Sequence, residues 1–191
     1  MPNWCLTNYT IVGKKSDVER INNAIENHPV KDKSSDNWQC NVLSALGMSD
    51  EDIDKRPMRG FVSEHEYMGE IGDGDAKLKM CCEEAWSRTG FAEVLHEIFP
   101  DISIYWIAEE SGCGIYETND SEGGFYPERY YVDTCIGGEY DSEYFTNEAD
   151  AYEWLSQRSD CKCAADVEAF NENRRKADSD DFIYVHEFEV V

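Results

Sequence analysis

Positive charge is what this chain has least of: 17 Lys and Arg stand against 41 Asp and Glu in 191 residues, a formal charge of −24. A field of that sign repels phosphate backbones and anionic lipid and draws cationic surfaces inward, so the composition argues against direct nucleic-acid binding and for a protein partner with a basic surface. Long hydrophobic runs are lacking too. Stretches such as Ile102 to Ala108 contain polar residues and fall far short of the roughly 20 apolar residues a membrane helix needs, so no membrane span is expected. The opening Met1-Pro-Asn-Trp-Cys5 has neither the basic nor the apolar stretch of a secretory leader, and a cytoplasmic location is expected from it. No internal repeat or low-complexity tract is visible. Paired metal-ligand clusters are missing as well: the eight cysteines are scattered, apart from the adjacent Cys81 and Cys82 and the pair Cys161-Lys-Cys163. A reducing compartment makes them buried thiols rather than disulfides. Two thiolates one residue apart, Cys161 and Cys163, are a weak metal alternative, since structural zinc sites show two paired clusters. No cofactor is expected.

What is present suffices for a packed interior. Hydrophobic residues make up 41% of the chain and aromatic residues 13%, too much for a disordered acidic tail. The charge is lopsided. Residues 1 to 60 hold 8 Lys/Arg against 9 Asp/Glu, while residues 61 to 191 hold 9 against 32.

Along the chain, Cys5 to Val12 alternates β-formers with polar residues and reads as a first strand. Ser16-Asp17-Val18-Glu19 fits a capping box ahead of a helix whose apolar stripe is Val18, Ile21 and Ile25. A long irregular connection follows at about 30–59. Phe61–Ile71 and Lys77–Glu84 read as two strands joined by a hairpin turn at Gly72-Asp73-Gly74-Asp75. Phe91, Val94, Leu95, Ile98 and Phe99 recur at helical spacing, with Ser87 or Thr89 as the cap and Pro100 as the stop. Ile102–Ala108, Gly114–Thr118, Arg129–Ile136, Tyr140–Phe145 and Phe182–Val190 read as further strands, and 119–124 as a turn. Helices are expected at about 147–157 and 164–176. The pattern predicts an α+β fold, an antiparallel sheet with helices packed on one face, in a single domain over 1–191 with a helical C-terminal extension at about 146–191.

Two stretches resemble the YubB-like proteins of phages, conjugative plasmids and their bacterial hosts. The opening Met1-Pro-Asn-Trp-Cys-Leu-Thr-Asn-Tyr-Thr-Ile-Val-Gly13 is similar to that family's Asn-Trp-Cys-x-Asn start. From about Lys79 to Asp120 the order strand, Ala85-Trp-Ser87, helix, Phe99-Pro100, strand, Glu109-Glu110, strand is similar to its β-α-β-β unit. Members often carry prolines after the Trp-Ser, where this chain has Arg88-Thr89-Gly90. The resemblance implies a fold that is ferredoxin-like in part and an origin on or near mobile DNA, and it brings no catalytic residues.

Several apparent motifs fail on their own chemistry. Arg59-Gly60-Phe61 begins like the aromatic RNA-reading strand of four-stranded sheets, but Ser63, Glu64 and Glu66 occupy its remaining positions. Gly69-Glu-Ile-Gly72-Asp-Gly74 has the glycines of a phosphate loop with acids among them and no Lys-Ser/Thr pair after them. Asp73 with Asp75, or Asp120 with Glu122, does not match the twelve-residue calcium loop. The four histidines lie near no nucleophile motif. A catalytic set is therefore not expected, and a metal-dependent hydrolase stands as a remote alternative. Aromatic residues at Tyr105-Trp106, Tyr116, Phe125-Tyr126 and Tyr130-Tyr131 supply both core and candidate contact surface. The candidate partner-binding residues are Glu64 and Glu66, together with Glu139, Asp141, Glu143 and the intervening Tyr140. Carboxylates at every second residue line one strand face about 6.6–6.8 Å apart. Such rows are solvated strand faces that keep edges from pairing, or they imitate a nucleic-acid backbone. The expected function is a non-enzymatic acidic protein-binding factor of phage or mobile-element type; the alternative is a nucleic-acid mimic that inhibits a host defence protein.

Overall fold

The computed structural model describes residues 3–27, 38–56 and 58–191. The chain is α+β and divides into two compact units, Met1–Asp120 and Ser121–Val191. The turn read at 119–124 holds that boundary, and the second unit starts well ahead of the extension expected from about 146.

In the first unit the order is β1 (Trp4–Lys14), α1 (Lys15–Asn27), α2 (Gln39–Ala45), α3 (Asp50–Asp54), β2 (Gly60–Gly72), β3 (Asp75–Ala85), α4 (Phe91–Ile98), β4 (Ser103–Glu110) and β5 (Ile115–Thr118). Its strands lie in the order β2-β3-β1-β4-β5, and each pairing is antiparallel. Period two decides the faces. Cys5, Thr7, Tyr9 and Ile11 of β1 stand in register beside Glu84, Cys82, Met80 and Leu78 of β3, and all eight are buried. They pack with Val18, Ile21, Ala24 and Ile25 of α1, Val42 and Leu43 of α2, and Phe91, Val94 and Leu95 of α4 in one core. The 3.6-residue spacing of those helical residues is why the helices lie flat on this side of the sheet. Of the expected connection at about 30–59, residues 30–37 and Pro57 lie outside the described residues; α2 and α3 occupy the rest.

The β2–β3 turn has both central residues, Asp73 and Gly74, at positive φ (53° and 82°), the two-residue hairpin geometry that matches strand twist. The cap expected for α4 differs. Gly90 occupies the N-cap, while the Thr89 hydroxyl before it accepts the Phe91 N–H at 3.4 Å and donates to Glu84 Oε1 at 2.6 Å.

The second unit contains β6 (Tyr130–Ile136), β7 (Glu139–Phe145), α5 (Glu148–Ser156), α6 (Ala164–Lys176), β8 (Phe182–Glu187) and a two-residue β9 (Glu189–Val190). Strands β7-β6-β8 form an antiparallel sheet. Asn147 caps α5 by accepting the Asp150 N–H, and Arg174, Arg175 and Lys176 sit at the negative end of α6. Val132 and Ile183 pack with Ala151 and Leu155 of α5 and with Cys161, while Val167 and Phe170 of α6 lean on the same small core.

Candidate functional site

Because Val132 and Thr134 turn toward the helices, Tyr131, Asp133 and Cys135 of β6 turn away from them. Register sets Tyr144 and His186 beside Tyr131, Ser142 and Tyr184 beside Asp133, and Tyr140 and Phe182 beside Cys135. Nine residues in three rows thus make the open face of this sheet, and six of them carry rings. The rings form a continuous strip: Tyr140–Phe182 at 6.1 Å between centroids, Phe182–Tyr184 at 5.0 Å, Tyr184–His186 at 5.9 Å, His186–Tyr131 at 6.2 Å and Tyr131–Tyr144 at 4.7 Å. Such spacings are those of favourable aromatic pairs. The strip is open to solvent at Tyr140 (75% exposed), Tyr184 (49%) and Tyr144 (41%), whereas Tyr131, Phe182 and His186 are half-buried and Cys135 is buried.

Asp133 lies in the middle row, its short side chain set below the taller rings. Burial pushes its carboxyl pKa up, and the nearby His186 pulls it the other way. Burial likewise lowers the His186 pKa, opposed by Asp133, so the imidazole is neutral at pH 7. Among the described residues no arginine or lysine pairs with Asp133. The unit carries 18 Asp/Glu against 6 Lys/Arg.

The candidate residues read from the sequence fall in three places. Glu64 and Glu66 are exposed on one face of β2 in the first unit, opposite Cys81 and Lys79, so the second of them faces a cation. Glu139, Asp141 and Glu143 form an exposed row on β7, on the side of that strand turned toward α5 and α6. Asp141 accepts from Arg158 Nε at 2.8 Å, and Glu143 accepts the neighbouring Tyr144 N–H at 3.1 Å, so two of the three are already engaged. Tyr140 alternates away from this row onto the ring-bearing face. Of the aromatic residues expected to be shared between core and surface, Trp106 and Tyr116 are buried.

One polar constellation was not visible as such in the sequence. Glu84, at the end of β3, has no solvent exposure, and its carboxyl accepts from Thr7 Oγ1 (2.6 Å), Tyr9 Oη (3.1 Å), Gln39 Nε2 (2.6 Å) and Thr89 Oγ1 (2.6 Å). It joins β1, β3, α2 and the segment before α4. Gly60 makes room for it: a Cβ there would sit 2.8 Å from Gln39 Oε1, 2.9 Å from Glu84 Cγ and 3.0 Å from the Glu83 carbonyl. Burial, then the neighbouring Glu84, raise the Tyr9 pKa, and burial pushes the Cys5 thiol up to about 11. Thr7, Tyr9, Gln39 and Glu84 are fully buried and Thr89 is half-buried, so the cluster ties the elements around it together. The signal for it was the period-two series Leu78, Met80, Cys82, which places Glu84 on the same inward face.

Cys161 is buried while Cys163 is exposed at the start of α6. Among the described residues no three His, Cys, Asp or Glu side chains gather as a metal set, and none of their helices is long and apolar enough to cross a membrane. Comparison with protein-family models, with curated proteins and with solved structures finds no match.

Proposed function

We propose that this protein is a non-enzymatic protein-binding factor, of the phage or mobile-element type to which its opening residues bear a resemblance. It acts in the cytoplasm on a partner with a basic surface, and its first unit is ferredoxin-like. Support for the ferredoxin-like reading is the strand order β2-β3-β1-β4, with α1 between β1 and β2 and α4 between β3 and β4. The observation that carries the function is the ring strip on the open face of β7-β6-β8. Aromatic side chains supply large contact area, and here they stand in a unit whose acidity turns away phosphate and attracts basic proteins. The test is capture from a bacterial lysate by the wild-type chain and by a Tyr140→Ser/Tyr184→Ser variant, across a salt series. A basic protein retained by the first and lost by the second supports the reading; equal recovery overturns it.

The exposed row Glu139, Asp141 and Glu143 favours the second reading, a nucleic-acid mimic that occupies the binding groove of a host defence protein. Reversing all three to Lys abolishes capture if the row is the contact. Capture that survives the reversal but not the loss of Tyr140 and Tyr184 assigns the contact to the rings.

A further inference from the structure

This protein handles its own arginines in a recurrent way. Five of them lie over aromatic rings: Arg20 on Phe99, Arg59 on Trp86, Arg88 on Trp106, Arg158 on Trp154 and Arg174 on Phe170. Three of the five also hold a carboxylate. Arg158 has its Cζ 3.6 Å from the Trp154 centroid and its Nε 2.8 Å from Asp141. Arg88 is 4.3 Å above Trp106 and 2.5 Å from Glu93; Arg174 is 4.9 Å from Phe170 and 3.5 Å from Asp181. Ring, carboxylate and guanidinium together form a unit, because a planar cation satisfies the π-face and the carboxylate oxygens at once.

The open face of the second unit has two of these three members. Asp133 supplies the carboxylate. Tyr184 stands directly across the strand pair from it, with Tyr131 and His186 one row away on one side and Tyr140 and Phe182 one row away on the other. At these cross-strand and diagonal separations, long side chains reach one another. The charged member is missing among the described residues. We infer that Asp133 receives an arginine side chain of the protein partner, its guanidinium packing against the exposed part of the Tyr184 ring and donating to the Asp133 carboxylate.

This inference rests on the reading of the ring strip as a protein-binding face. Three observations support it. Asp133 is only partly buried, so a long side chain can reach it from solvent. Burial lowers the His186 pKa, which weakens the imidazolium as a competitor for the carboxylate beside it. Finally, every cation found over a ring among the described residues is an arginine and none is a lysine.

The experiment is an NMR titration of the full chain with three capped tripeptides, acetyl-Gly-X-Gly-amide, in which X is arginine, lysine or citrulline. Citrulline keeps the planar shape of arginine without its charge. The expected result is shifts at Tyr131, Asp133, Tyr184 and His186, with arginine binding about threefold tighter than lysine and about tenfold tighter than citrulline. Asp133→Asn should weaken arginine binding about tenfold, and Tyr184→Leu should also weaken it, in chains whose remaining spectra are unchanged. Arginine binding no better than citrulline or lysine, shifts located elsewhere, or affinity unaltered in both variants overturns the inference. If the tripeptides leave the face unmoved while the ring variant still loses its lysate partner, the arginine site fails and the protein-binding reading stands. If arginine binds at Asp133 while capture ignores the rings, the site stands and that reading fails.

Discussion

Glu84 and Asp133 each occupy a strand within an antiparallel sheet that bears helices on one side, and the sheet face decides what each carboxyl group meets. Glu84 points toward the helices of its unit, has no exposure, and accepts from Thr7, Tyr9, Gln39 and Thr89. Asp133 points away from the helices of its own unit and is ringed by tyrosines, a phenylalanine and a histidine. A buried acid surrounded by donors is complete and serves the fold. A half-buried acid bordered by ring faces, with no cation beside it among the described residues, is incomplete and available to a ligand.

Glu84→Leu gives the largest effect if the comparison is sound. Removing the acceptor leaves two threonine hydroxyls, a tyrosine hydroxyl and a glutamine amide in an apolar interior, a loss of about 3–5 kcal/mol, while Asp133→Leu should cost much less. Denaturant unfolding of both variants checks this, and equal losses would break the distinction between the two sites.

Gly60→Ala comes next. The new methyl would meet Gln39 Oε1, Glu84 Cγ and the Glu83 carbonyl at 2.8–3.0 Å. One of those atoms belongs to the backbone and cannot swing aside, so a loss of about 1–3 kcal/mol in unfolding free energy is expected. Gly60 within Arg59-Gly60-Phe61 looked in sequence like the start of an RNA-reading strand. Its place in the structure is explained by the carboxyl group packed against it.

How much was legible follows the same division. The α4 stripe of Phe91, Val94 and Leu95 and the hairpin turn at Asp73-Gly74 stand where the pattern predicted them, because periodicity and positive-φ turn chemistry are local signals. Thr89 was read as a helix cap because local rules place such residues there, but its hydroxyl answers to Glu84, five residues earlier in sequence and on another element. Glu84 stood only as the last residue of the strand read over Lys77–Glu84, since acids are rarely fully buried and composition gave no reason to expect one there. The acidic row Glu139, Asp141 and Glu143 was legible as a row. That Arg158 would fold back onto Asp141 was not, because the pair spans a helix. The ring strip draws on three strands, two of them adjacent in sequence and one more than thirty residues later, so only the register could assemble it.

The smallest expected effect is on pH, and it sharpens the contrast because only the open site should titrate against a ligand. The groups facing Asp133 are Tyr131 and Cys135 on its own strand, Tyr140, Ser142 and Tyr144 on β7, and Phe182, Tyr184 and His186 on β8, with Asp180 acting on Tyr140. Of these, His186 is the one whose charge changes just below neutrality. Burial holds its pKa under the ordinary 6.5, so the unfolded chain takes up that proton at higher pH than the folded chain does. The stability that His186 contributes therefore rises with pH through the window below 6.5 and is lost as acid forces the ring to protonate, while Asp133, whose pKa is raised, contributes with the opposite sign. The same protonation places an imidazolium beside Asp133 in competition with an incoming guanidinium, and further acid neutralises the carboxyl group, whose own pKa burial has raised. Arginine-tripeptide affinity should fall a few-fold, to about a third, between pH 7 and pH 5.5. It should stay flatter over that range in His186→Gln, whose amide cannot charge. A wild-type affinity that held constant or climbed as the pH dropped would mean that Asp133 already has another partner.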